Sequence, residues 1–133
     1  MVIIIPGECV PKARPRVKKI GYAYTEPKTL RYENYVRKIF KQHCDQPTDK
    51  PVRMTIHVVR DIPKSWSKKK YYDAIEGKIK ATTRPDVDNY IKGLLDAANG
   101  ILFNDDNQVI DLRVTKCYGP DAMVKILLEE IND

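Results

Sequence analysis

Residues 84–109 read RPDVDNYIKGLLDAANGILFNDDNQV. Asp86, directly after Pro85, suits a helix N-cap, and Asn99-Gly100 suits a helix stop. Between them Tyr90, Ile91, Leu94, Leu95 and Ala98 recur at helical spacing, which predicts a helix over 86–98 with one apolar face. Ile101–Phe103 then leads into the polar run Asn104–Asn107, predicted as a turn. From Val109 to Tyr118, Val109, Asp111, Arg113 and Thr115 alternate with Ile110, Leu112 and Val114, the period of a strand. The stretch is therefore helix, turn, strand.

Val2–Ile5 is a short β-branched strand ended by Pro6-Gly7. Residues 6–27 are rich in proline and basic residues with little period, an exposed loop or hairpin. Leu30, Tyr32, Tyr35, Val36, Ile39 and Phe40 approximate a helical stripe over 29–44, Pro47 and Pro51 bracket a turn, and Val52–Val59 reads as a strand. Within 61–83, Ser65 is expected to cap a short helix through Tyr72, with Gly77 breaking the pattern. Gly119-Pro120-Asp121 is a tight turn, after which Met123–Leu128 is expected to complete a hairpin with the preceding strand. Strand, helix, strand, short helix, helix, strand, strand describes a small α+β domain.

The chain has 133 residues and a net charge of +6. That length gives one domain, 1–133, with a single ordinary core. Residues 86–111 hold the carboxylates of Asp86, Asp88, Asp96, Asp105, Asp106 and Asp111 against one cation, Lys92. Its local net charge is −5, while the remainder of the chain carries +11. No run approaches the ~20 apolar residues of a membrane span. Cys9, Cys44 and Cys117 are odd in number and lack C-x-x-C spacing, so they form neither a disulfide framework nor a zinc site and point to a reduced cytoplasmic setting.

Closely placed carboxylates repel, and a hard divalent metal is the usual offset. Asp88, Lys92 and Asp96 share a helix face at i, i+4, i+8, and taken alone they read as a salt-bridge ladder on a solvated helix. Asp86 and Asp88 together, however, place two carboxylates at a helix start where capping needs one. Asp105-Asp106 follows at a distance from which the chain can fold back beside them. The competing reading is a polar turn; an EF-hand is a poor match, because its sixth-position glycine and terminal glutamate are missing. Converging, the two pairs offer up to four carboxylates for one or two Mg²⁺ or Mn²⁺ ions, a site suited to phosphodiester cleavage, with Lys92 placed to meet charge developing on the phosphate.

Two basic regions supply a polyanion for such a site. Lys12, Arg14, Arg16, Lys18, Lys19, Lys28, Arg31, Arg37, Lys38 and Lys41 face only Glu26 and Glu33, with Tyr22, Tyr24, Tyr32 and Tyr35 interleaved. Lys64, Lys68, Lys69 and Lys70 surround Trp66. Basic and aromatic loops bind phosphates and stack on unpaired bases. Tyr32 and Tyr35 read better as helix packing, and His43 and His57, without a nucleophile partner, as structural.

Pro85-Asp86-x-Asp88-Asn89-x-x-Lys92-x-x-x-Asp96-Ala97-x-Asn99-Gly100, followed by Asp105-Asp106-x-Gln108-Val109, resembles the RusA-type Holliday-junction resolvases. Gly7, Pro11-Lys12-x-Arg14-Pro15-Arg16, Tyr24-Thr25 and Pro63-x-Ser65-Trp66 extend the likeness over nearly the whole chain. The resemblance implies a mixed β-sheet packed against two or three helices. It implies Asp86, Asp88 and Asp106 as metal-binding and catalytic aspartates, Lys92 as the catalytic lysine, and Asp105 as a ligand or neighbour of that set. Asp96 then reads as a structural partner of Lys92, and Asp111 leaves the ligand set. The DNA contacts expected are Lys12, Arg14, Arg16, Lys18, Lys19, Lys68, Lys69 and Lys70.

The implied protein is a Mg²⁺-dependent homodimer (Mn²⁺ as substitute) that nicks two opposed strands of branched DNA symmetrically in recombination and repair. Its setting is the cytoplasm of a bacterium, or a prophage or phage; no membrane is involved. The alternative is a non-catalytic branched-DNA-binding or replication accessory protein on the same fold, against which the intact Asp86/Asp88/Asp106/Lys92 set argues.

Overall fold

The computed structural model describes residues 1–12, 16–17, 23–24 and 27–132. Its elements run β1 (Val2–Pro6), β2 (Arg16–Val17), β3 (Ala23–Tyr24), α1 (Pro27–His43), β4 (Val52–Asp61), α2 (Lys68–Ile75), α3 (Val87–Ala98), a 3₁₀ turn (Asp106–Gln108), β5 (Val109–Gly119) and β6 (Met123–Glu130). β2 and β3 pair antiparallel, Arg16 opposite Tyr24, within the stretch expected to be a loop or hairpin. Pro27 opens α1, a position where its missing N–H and fixed φ cost nothing.

The main sheet has the order β1-β6-β4-β5. β4 is central, parallel to β5 and antiparallel to β6, which in turn pairs antiparallel with β1. Val52, Met54, Ile56 and Val58 of β4 line up with Leu128, Ile126 and Val124 of β6 and with Ile3 and Ile5 of β1 on one face. All of these are buried, together with Val36 and Phe40 of α1 and Tyr90, Leu94, Ala97 and Ala98 of α3. The helices thus cover one face of a mixed sheet, the small α+β architecture expected from the sequence. Arg37 Nη1 donates to the carbonyls of Ala97 (3.2 Å) and Asn99 (3.3 Å), so α1 closes the C-terminal end of α3.

The expected hairpin between 109–118 and 123–128 does not form. β5 and β6 lie on opposite edges of β4. The chain leaving β4 returns through α3 to run parallel beside it, and the chain leaving β5 then crosses the end of β4 at residues 119–122. That crossing is tight. A Cβ on Gly119 would collide with Val59 Cγ1, and Ala122 N–H donates to Asp61 Oδ1 at 2.9 Å. The short helix is also displaced. Its cap is Ser67, whose hydroxyl accepts from Lys70 N–H at 3.2 Å, rather than Ser65, and it runs through Ile75.

β5 forms where expected, but its burial does not alternate: a register shift follows Val109, which packs against the core with Val114, and the edge strand leaves Ile110 65% and Leu112 39% exposed. A second cluster of Ile62, Ala74, Ala81 and Tyr118, with Trp66, Tyr71 and Ile79 against it, fixes α2 to the far end of β5.

Candidate active site

α3 begins where the sequence placed it, with Asp86 at the N-cap position and Asp88 in the first turn. Asp86 makes no side-chain capping bond, so its carboxylate is not consumed by the helix. Asp86 and Asp88 are exposed, as is Lys92 one turn further on. Among the described residues none of the three forms a salt bridge, so the ladder that the spacing alone would suggest is absent. An open cleft beside the helix start is lined by Arg84, Pro85, Asp86 and Asn89. A larger cavity, lined by Met1, His43, Cys44, Leu102, Leu128 and neighbours, holds none of the expected site residues.

The loop entering α3 is held from the sheet. Lys116 Nζ donates to the carbonyls of Thr83 (2.8 Å) and Pro85 (3.0 Å). Arg60 Nη1 donates to the carbonyl of Arg84 (2.9 Å) and to Thr83 Oγ1 (2.8 Å). Sequence reasoning missed both cations. A signal existed for one of them: Lys116 falls at the parity of Leu112 and Val114 on β5, where a lysine needs polar partners on the helix-covered face.

Asp105 and Asp106 occupy the turn before β5. Asp105 is the N-cap of the 3₁₀ turn in a capping box: its side chain accepts from Asn107 N–H (3.2 Å), while Gln108 Oε1 accepts from Asp105 N–H (3.0 Å). That use satisfies local backbone and explains Asp105 without a metal. Gln108 Nε2 donates to the carbonyls of Thr48 and Lys50, both at 2.9 Å, tying the turn to the start of β4. Asp106 is half-buried, belongs to no salt bridge between described residues, and sits on a turn that packs beside α3.

The expected convergence of four carboxylates is not present. Among the described residues no group of three or more His, Cys, Asp or Glu side chains stands close enough to hold a metal ion. The register of β5 shows where the two pairs are anchored. Asp106 precedes Val109, which pairs with Val52, whereas the loop before Asp86 is held by Lys116, which pairs with Val58.

Two further carboxylates are engaged elsewhere. Asp96 pairs with Lys12 at 2.8 Å rather than with Lys92, and Lys12 also reaches Glu33 at 3.5 Å. The Lys12 ammonium is pushed above its ordinary value of 10.5, chiefly by its hydrogen bond to Asp96. Lys12 is therefore turned inward against α3, not outward as a phosphate contact. Asp111 pairs with Arg53 at 2.8 Å on the uncovered face of the sheet.

Lys68, Lys69 and Lys70 form the exposed first turn of α2. Lys70 Nζ lies 4.0 Å from the centre of the Trp66 ring, which meets Tyr118 edge-on with centroids 5.3 Å apart. Arg14, Lys18 and Lys19 lie outside the described residues, and Arg16 is described only as strand backbone. No helix among the described residues is long and apolar enough to cross a membrane.

The start of α3 thus carries two exposed aspartates that form no salt bridge among the described residues. Residues 6–129 match the family described as endodeoxyribonuclease RusA, and the chain belongs to that family. It is similar to the uncharacterized protein YqaN of Bacillus subtilis (strain 168), 38% identical over 132 residues that cover 95% of this chain and 93% of that protein.

Proposed function

We propose that this protein is a metal-dependent, structure-selective endodeoxyribonuclease that resolves four-way DNA junctions by paired symmetric nicks. The observation that carries the reading is the exposed, uncapped start of α3. There Asp86 and Asp88 stand without a counter-cation among the described residues, in a chain whose family is an endodeoxyribonuclease family. A helix whose first two acids are left unused by capping or ion pairing keeps them for something that arrives from outside.

The residues fit Mg²⁺ in kind. Asp86 and Asp88 are hard oxygen donors two residues apart at one helix start, and Mg²⁺ is commonly held by only one or two carboxylates, its remaining ligands being water and substrate phosphate; Asp106, on the neighbouring turn, does not make a third with them. When bound, the ion would supply Lewis acidity toward water and phosphate. The chain's own part is to orient those two carboxylates from the start of α3. The Lys92 ammonium, one turn from Asp88, meets the negative charge that builds on the scissile phosphate. Lys68, Lys69 and Lys70 bind the flanking backbone electrostatically. Paired cuts on opposed strands need two such sites related by a two-fold axis, hence a homodimer. Free thiols at Cys9, Cys44 and Cys117 suit a reducing cytoplasm, bacterial or phage-encoded.

The second reading is a non-catalytic branched-DNA-binding protein, favoured by the absence of a three-carboxylate group among the described residues. Incubating the purified protein with a four-way junction and a sequence-matched linear duplex, in Mg²⁺, Mn²⁺ or EDTA, separates the two. Nuclease function predicts metal-dependent cutting of the junction and not of the duplex. Binding without cutting in either metal selects the accessory reading.

A further inference from the structure

Three consecutive carbonyls, those of Thr83, Arg84 and Pro85, are taken up by two cations rooted on neighbouring strands. Arg60 and Lys116 project from β4 and β5 toward the helix-covered face, two residues apart in the shared register. Lys116 makes no salt bridge among the described residues; its ammonium is spent on main-chain oxygen at 2.8 and 3.0 Å. Charge-assisted bonds of this kind are about twice as strong as neutral ones. Buried apolar packing alone would not call for a lysine here, and a neutral side chain would leave the two carbonyls to water and the loop without this tie to the sheet.

What this hold controls follows from Asp86. Its side chain makes no capping bond, and the first turn is closed through the backbone alone, Asn89 N–H donating to the Asp86 carbonyl at 3.2 Å. The direction of Asp86, and of Asp88 two residues on, is inherited from the backbone path through Thr83, Arg84 and Pro85. We infer that Lys116, seconded by Arg60, is a positioning residue of the candidate site: it locks the entry loop to the sheet and so aims the Asp86 and Asp88 carboxylates at the incoming phosphate. This rests on the nuclease reading. Lys116 acts through the loop and not on the reacting atoms, and a displacement of ~1 Å in such a constellation is enough to cost on the order of 100-fold in rate.

The test compares Lys116→Met and Lys116→Arg with the wild type in two measurements. In hydrogen–deuterium exchange without DNA or metal, Lys116→Met speeds exchange over residues 83–90 at least tenfold and leaves β1 and β6 unchanged. In four-way junction cleavage, the same variant needs at least tenfold more Mg²⁺ for half-maximal rate, while junction binding in EDTA stays within twofold. Lys116→Arg, which keeps charge and donors, restores both. Arg60→Met approaches the same loop from β4 and carries the same expectation where Lys116→Met folds poorly. Unchanged exchange over 83–90, or unchanged Mg²⁺ demand in a loosened loop, overturns the positioning role alone. A wild-type protein that cuts nothing in Mg²⁺ or Mn²⁺ overturns the nuclease reading, and the site-directed sense of the clamp with it.

Discussion

Lys12 Nζ stands 2.8 Å from Asp96 Oδ2, which ties the segment entering the basic N-terminal stretch to the last turn of α3. Lys12 N–H also donates to the Asn89 carbonyl at 3.0 Å, and Gly93 lies between them, where a Cβ would come within 3.3 Å of Lys12 Cβ. The segment therefore crosses the helix that carries Asp88 and Lys92. With side chains 20% and 27% exposed, the ion pair is sheltered enough to contribute more than a surface bridge.

Asp96→Asn is expected to lower stability by about 1 kcal/mol. The pH dependence has a definite sign. Because the Lys12 pKa is raised in the folded state, its contribution is complete below 10.5 and is lost as pH climbs through the higher folded value. Urea unfolding at pH 8 and above pH 11 checks this: the gap between wild type and Asp96→Asn narrows at the alkaline end. A gap that widens there contradicts the pairing.

Gly119→Ala is expected to destabilise by about 1–3 kcal/mol, because the new methyl meets Val59 where the chain crosses the end of β4. Thermal unfolding reads the loss. Shrinking the obstacle in the double variant Val59→Ala/Gly119→Ala recovers part of it, which simple loss of glycine flexibility would not.

Cys9 is buried, and burial pushes its thiol up to about 11. Cys117 is exposed. At pH 8 a thiol reagent is expected to label Cys117 in the native protein within minutes and to reach Cys9 only on unfolding. Rapid native labelling of Cys9 would show that the contact between β1, α1 and α3 opens readily.

Lys68→Ala/Lys69→Ala is expected to weaken junction binding roughly equally for all sequences. It should also reduce the slope of log affinity against log salt by about 2. Filter binding between low and moderate salt provides the slope; an unchanged slope would remove α2 from the DNA surface.

Much of this was legible from residue order. The start of α3 at Asp86, its stop at Asn99, the strand that begins at Val109 and the polar turn at Asn104–Asn107 all follow from local chemistry, and the structure keeps them. The pairing of β5 was not legible. Gly119-Pro120-Asp121 looks like a hairpin turn, but β4 already claims the edge of β5, and only tertiary register reveals that the chain crosses over it. The same blindness affected charge partners. Asp96 to Lys92 is the local i, i+4 choice, whereas the structure supplies Lys12 from 84 residues away. Asp105 beside Asp106 looked like a ligand pair until its carboxylate was found capping its own turn. The Lys116 and Arg60 hold on the entry loop spans three separate elements, and no spacing rule encodes it.

The most direct test follows both labelled arms of a four-way junction in Mg²⁺ with wild-type protein and Asp88→Asn, alongside binding in EDTA. The wild type should release symmetric paired nicks. Asp88→Asn should cut neither strand yet bind the junction as tightly or more tightly, because it removes negative charge facing phosphate. Wild-type cleavage by Asp88→Asn would contradict the assignment of the α3 start as the active site.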